Sequence, residues 1–178
     1  FHLPVKLSLM DSNGDTLSLE DGADSTVLNL LQEEQTFNFE NIEQKPVLSI
    51  LQGYSAPVKL HFERDDEELA FCMAHESDDF NRWEAGQQLS TRLLLAMVEK
   101  INAGRADELS LPDYYIEACR KTLNHQSLDK ALIARALTLP SLTYIGEMMP
   151  VIDVDAIHQA REFTCSHLAE SLKDDFLQ

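Results

Sequence analysis

The sequence predicts an α+β chain in two segments, an antiparallel β-sandwich over residues 1–63 and an α-helical, solenoid-like region over 64–178. Three observations carry this. Apolar residues alternate with period two up to about Glu63, which puts them on one face of extended strands. Beyond it they recur every three to four residues, as on helices. The first segment is also punctuated by turn residues at the short spacing of a sandwich.

Within the β segment the alternating runs are Val5, Leu7 and Leu9; Leu17 and Leu19; Phe37 and Phe39; and Val58, Leu60 and Phe62. Asp11-Ser12-Asn13-Gly14 separates the first two. Asn-Gly supplies the positive φ angles of a tight hairpin, so those two runs are expected to pair antiparallel. Asp21-Gly22, Asn41, Pro46 and Gly53 end further runs, and Pro46 and Pro57 suit strand starts or edges.

The helical segment opens on Asp65-Asp66-Glu67-Glu68, whose charges suit a helix N-terminus. Ser77-Asp78-Asp79 caps a long helix with Leu89, Leu93, Met97 and Ile101 on one stripe and Gly104 at its end. Pro112 suits a first helical turn. One further helix is expected from Ser127 to Leu139 and another from Ser141 to Met149, stopped by Pro140 and Pro150. Asp153 caps the last, whose less polar face is Ile157, Ala160, Thr164, Leu168 and Leu172.

Composition narrows the function classes. The 178 residues hold 14 Lys plus Arg against 31 Asp plus Glu, a formal net charge of -17. Such a surface repels phosphate backbones and anionic lipid, so neither nucleic acid nor membrane is an expected partner. No apolar run approaches the ~20 residues of a membrane span. Cys72, Cys119 and Cys165 are odd in number and widely spaced, which favours reduced thiols and the cytoplasm. Opening on Phe1-His2-Leu3-Pro4 and closing on Gln178 without a helix stop, the chain reads as a piece of a longer protein.

Each candidate for chemistry has a structural reading that explains it better. His75-Glu76-Ser77-Asp78-Asp79 starts like the zinc motif His-Glu-x-x-His, but Asp79 stands where the second histidine belongs. Asp11, Asn13 and Asp15 resemble half a calcium loop, with Thr16 and Gly22 where Gly and a bidentate Glu are needed. His158 and His167 fall on opposite faces of one helix, while His158 and Glu162 read as a surface pair. No cysteine has a histidine placed to activate it, and no glycine-rich phosphate cradle is present. Trp83, between Arg82 and Glu84, reads as a core anchor of the long helix, and Gly53 to Leu60 as a turn feeding an edge strand. Expected catalytic, cofactor-binding and metal residues are therefore none.

Two of these stretches carry a resemblance. Pro46-Val47-Leu48-Ser49-Ile50-Leu51 with Gly53-Tyr54-Ser55-Ala56-Pro57-Val58-Lys59-Leu60, then Glu68 to His75, Asp79 to Gln87, Ala136 to Ser141 and Ile152 to Ile157, resemble in order the bacterial aminopeptidase N family. Gln52, where Arg is common, and Tyr144-Ile145-Gly146 depart from it. The resemblance implies an immunoglobulin-like β-sandwich, lacking its first strands, and the start of the C-terminal helical domain of a zinc exopeptidase. Zinc would belong to the parent enzyme, and no cofactor to this segment. The family's Gly-Ala-Met-Glu-Asn and His-Glu-x-x-His motifs match no position, so no site residue carries over. The implied role is a non-catalytic structural segment of an enzyme releasing N-terminal amino acids from peptides. Its implied partners are the parent's other domains and, for the parent, peptide substrates; an open sheet edge adds possible self-association. The rival reading is a stand-alone protein-interaction module with no enzymatic parent.

Overall fold

The computed structural model describes residues 2–19 and 22–177. It divides into two compact units, one ending at Arg82 and the other beginning at Trp83.

The first unit holds a three-stranded antiparallel sheet, β1 (Leu3–Met10), β2 (Thr26–Leu30) and β3 (Val47–Ile50), in the order β2-β1-β3. Register places Val5 opposite Leu28 and Leu9 opposite Leu48. Val5, Leu7 and Leu9, all buried, thus share one apolar face with Leu28, Leu48 and Ile50. The other face carries Ser8, Met10, Val47 and Ser49. The hairpin through Asn13-Gly14 closes as expected: the Asp11 amide donates to the Asp15 carbonyl (2.9 Å) and the Leu17 amide to the Leu9 carbonyl (2.8 Å). It extends no further than an isolated Met10/Thr16 bridge.

The runs around Leu17/Leu19, Phe37/Phe39 and Val58/Leu60/Phe62 are therefore not strands, contrary to the sequence reading. Residues 35–40 still alternate half-buried and exposed. A strand needs a ladder, however, and the main chain at 36–40 and at 59–62 bonds to nothing among the described residues.

Helix α1 (Asp66–His75) begins where the Asp65 carboxylate accepts the Glu68 amide at 2.8 Å, and Asp66, Glu67 and Glu68 fill its first turn. Helix α2 (Asp79–Asn102) is capped by Asp78, which accepts the Asn81 amide at 3.0 Å. The unit division falls after its fourth residue.

In the second unit, α2 stops at Asn102 and the chain turns away at Gly104, whose φ of 72° no β-carbon opposes. Its buried stripe is Leu89, Leu94, Met97 and Val98, while Leu93 and Ile101 are half-buried. The strict four-residue spacing expected from sequence drifts off the helix face, because 3.6 residues make a turn. Helices α3 (Asp113–Leu123), α4 (Lys130–Ala136), α5 (Leu142–Glu147), α6 (Val154–Ser171) and α7 (Lys173–Phe176) follow. Pro112 sits one position before α3. Asp129, not Ser127, caps α4; Ser141 and Asp153 cap α5 and α6 as expected. Ile157, Ala160, Thr164 and Leu172 are buried, with Leu168 half-buried. The last helix breaks at Leu172, where Arg120 donates to the Ser171 carbonyl and to Asp175, both at 3.2 Å.

Candidate functional site: a buried polar joint

Ser8 and Ser49 interrupt apolar runs, Leu7-Ser8-Leu9 and Leu48-Ser49-Ile50, and face each other across β1 and β3. Both are buried, Ser49 completely. Gln52 follows β3 in a 3-10 turn (Gln52–Tyr54). Its amide nitrogen donates to both hydroxyls, at 2.8 Å to Ser8 and 2.7 Å to Ser49. The Ser49 hydroxyl donates its own hydrogen bond to Glu76 Oε1 at 2.7 Å. Glu76 directly follows α1 and is 1% exposed. The same oxygen accepts the Asp78 amide at 3.1 Å, and Glu76 Oε2 has no hydrogen-bond partner among the described residues.

Arg82, 4% exposed, completes the cluster from the first turn of α2. It donates to the carbonyls of Met73 (3.2 Å), Ala74 (2.9 Å) and Glu76 (2.5 Å). These are orphan acceptors at the C-terminal end of α1, where a cation also meets the negative end of the helix dipole. Burial pulls the guanidinium pKa below its ordinary value, and Glu76 and then Asp79 oppose the shift. Asp78 ties in the strand end, accepting the Gly53 amide at 2.9 Å, and Asn81 donates to the Ile50 carbonyl at 3.0 Å. The sheet, the α1 terminus and the α2 start are thus pinned by one hydrogen-bonded cluster.

Chemically this is a joint. Ser49 and Glu76 are at most 1% exposed and Ser8 3%, so hydroxyls and carboxylate are closed to a substrate. The sequence reading did not assemble it, because Gln52 and Ser8 stand 44 residues apart and Ser49 and Glu76 27. The available signal was a serine at an apolar position in each of two strands.

The other candidates fall into local roles. His75 stacks on Phe71 at 4.7 Å between ring centroids, and a β-carbon on Gly14 would lie 2.3 Å from its ring. Asp79 starts α2 while Glu76 faces Ser49, so these residues do not fit a zinc site. Asp11 Oδ1 accepts the amides of Asn13 (2.8 Å) and Asp15 (2.9 Å), which is a turn. Desolvation raises the Asp11 pKa, but hydrogen bonds from the Asn13 and Asp15 amides outweigh it and hold the carboxyl below its usual value. His158 is exposed on α6, and His167 stacks on Phe163 at 5.5 Å. Cys72 and Cys119 are buried and Cys165 is exposed. Burial pushes the Cys72 thiol up to about 11, against the pull of Arg64, and Cys119 up to about 12. Trp83 is half-buried rather than a fully buried anchor, with the Arg135 guanidinium 5.7 Å from its ring centroid. The segment after Gly53 forms no edge strand; the Tyr54 ring lies tilted at 44° against Phe80, 4.4 Å between centroids. Among the described residues, no three His, Cys, Asp or Glu side chains gather to hold a metal ion. No described helix is long and apolar enough to cross a membrane.

Comparison with known proteins decides the family. Residues 66–178 match a domain of unknown function (DUF3458_C) with ARM repeats. The chain belongs to the DUF3458_C family. Residues 1–63 match the companion domain of unknown function DUF3458, described as an Ig-like fold. An Ig-like segment followed by helical repeats is the fold class expected from sequence. Over 99% of its length this DUF3458_C chain is 39% identical to aminopeptidase N of Escherichia coli and 37% identical to that of Haemophilus influenzae. Aminopeptidase N of Caulobacter vibrioides is 33% identical over 85% of the chain. The chain spans about 20% of the length of the first two. Aminopeptidase A of Legionella pneumophila, solved in complex with aspartic acid, superposes with a TM-score of 0.76 at 29% identity, over 99% of this chain and 19% of that one.

Proposed function

We propose that this chain is a non-catalytic structural segment of a cytoplasmic, zinc-dependent aminopeptidase N, divided into a β-sandwich domain at 1–63 and the start of a helical domain at 64–178. The observation that carries the reading is the collinear similarity of 99% of the chain to one fifth of aminopeptidase N. The polar joint supports it, since a hydrogen-bonded cluster closed to substrate does the work of a scaffold. Zinc in such an enzyme activates water and polarises the scissile carbonyl. The ligands for it, and the groups that grip a peptide's free amine, would lie elsewhere in the longer polypeptide. Its other domains are the partners of this segment, and peptides are the substrates of the whole.

The test is the reading frame beyond this chain. It is expected to encode His-Glu-x-x-His with a distant glutamate, and Gly-Ala-Met-Glu-Asn, upstream of Phe1. A frame that carries neither motif overturns the reading.

A further inference from the structure

The sheet reaches α1 through a stretch without secondary structure. Residues 57–63 are exposed without a break, Val58, Leu60 and Phe62 at 40%, 41% and 37%. At 59–62 the main chain bonds to nothing among the described residues, and the Arg64 guanidinium lies over the Phe62 ring at 4.9 Å.

The contacts that join the two sides run across this stretch rather than through it. Ser49 donates to Glu76 (2.7 Å), the Gly53 amide to Asp78 (2.9 Å), Asn81 to the Ile50 carbonyl (3.0 Å) and Arg64 to the Leu48 carbonyl (2.5 Å). Each bond links a residue before Pro57 to one after Glu63, and the approach of Gly14 to His75 does the same. Cutting the chain between 57 and 63 breaks none of them.

We propose that the Lys59–Leu60 bond is a cleavage site for an endoprotease whose pocket takes a basic side chain, and that the polar joint holds the products, 1–59 and 60–178, together as one folded complex. A protease cleft binds its substrate as an added strand, through backbone N–H and C=O groups, so the scissile segment has to be exposed and free of a ladder. Lys59 meets both conditions and the other basic residues do not. Lys6 is paired with Val27 inside the sheet. Lys45 precedes Pro46, whose ring crowds the bond and restricts the residue before it. Arg64 is half-buried and Arg82 buried. In the second unit every Lys and Arg except Arg105 is helical, and Arg105 is tied down by its amide on the Lys100 carbonyl (2.9 Å) and its guanidinium on Glu108 (3.2 Å). Cleavage consumes one water. The water oxygen bonds to the Lys59 carbonyl carbon, the C–N bond breaks, and Leu60 takes up a proton as a new amino terminus. The inference stands independently of the aminopeptidase reading.

The experiment uses the whole 178-residue chain, treated with a trace of trypsin in native buffer, with products identified by mass. The first cut is expected at Lys59–Leu60. Both products are expected to leave a gel-filtration column together at the position of the uncut chain, and to part only in urea. Lys59→Gln changes an exposed side chain, so circular dichroism and thermal melting are expected to stay as in wild type while the cut at this bond is lost. Asn81→Ala removes one bond that spans the cut, so its nicked form is expected to part at a lower urea concentration than nicked wild type. A first cut at any other bond, products that separate in native buffer, or nicked Asn81→Ala that parts at the same urea concentration as nicked wild type overturns the proposal. Should Asn81→Ala fail to fold, the wild-type products and Lys59→Gln decide by the same criteria.

Discussion

Arg82 is the residue on which the joint depends most, because one guanidinium satisfies three carbonyls that α1 leaves open. Replacing it with alanine leaves those acceptors and the Glu76 carboxylate buried without their cation. The expected cost is ~3–5 kcal/mol, as for breaking one side of a buried charged cluster, read as a lower urea midpoint at unchanged slope. A loss within ~0.5 kcal/mol would show that the joint bears no load. Asp11 makes a different prediction. Its folded-state pKa is depressed, so its contribution is present above the unfolded value of about 4 and fades as pH falls through the folded one. Asp11→Ala is therefore expected to be less stable than wild type at pH 7, with melting temperatures that converge in strong acid; a gap independent of pH contradicts this. The cysteines separate by burial. At pH 7 the native protein is expected to release colour from one thiol, Cys165, with a disulfide reagent, and from Cys72 and Cys119 only after unfolding. Prompt reaction of all three would mean that the two buried thiols are reached without unfolding.

At the scale of elements, the Asn13-Gly14 hairpin and α1 meet where Gly14 approaches His75. A β-carbon there would lie 2.3 Å from the imidazole, on a residue with φ of 90°, whereas at Gly53 (φ 61°) it would meet nothing within 4 Å. Gly14→Ala is expected to cost ~2–3 kcal/mol and Gly53→Ala about 1, the price of αL backbone alone. Equal losses by chemical denaturation would show that His75 yields freely. Elements specified by neighbouring residues were legible in the sequence. Asp78, Ser141 and Asp153 cap their helices, Gly104 ends α2, and the turn at Asn13-Gly14 closes, because each signal acts within four residues. Alternation at Phe37/Phe39 and Val58/Leu60/Phe62 was equally plain, yet no ladder forms there. Period two fixes which side chains share a face, but a strand exists only with a partner, and a partner is not local information. The joint escaped for the same reason: Ser8, Ser49, Gln52, Glu76 and Arg82 converge only once the sheet and α1 are packed. Trp83 shows the converse error, an aromatic read as core that instead lies half-buried under Arg135.

For the molecule as a whole, the decisive fact is proportion: a chain that aligns end to end with a fifth of aminopeptidase N and whose buried polar cluster is closed to substrate. The central claim, a scaffold segment of an enzyme whose chemistry lies elsewhere, is tested most directly by turnover of an aminoacyl-anilide. This chain and the polypeptide from the uninterrupted reading frame are to be measured side by side. The predicted result is hydrolysis by the longer polypeptide only, abolished by a chelator and restored by zinc. Hydrolysis by the 178-residue chain itself, proportional to its amount and surviving repurification, or none from the longer polypeptide, would contradict the account.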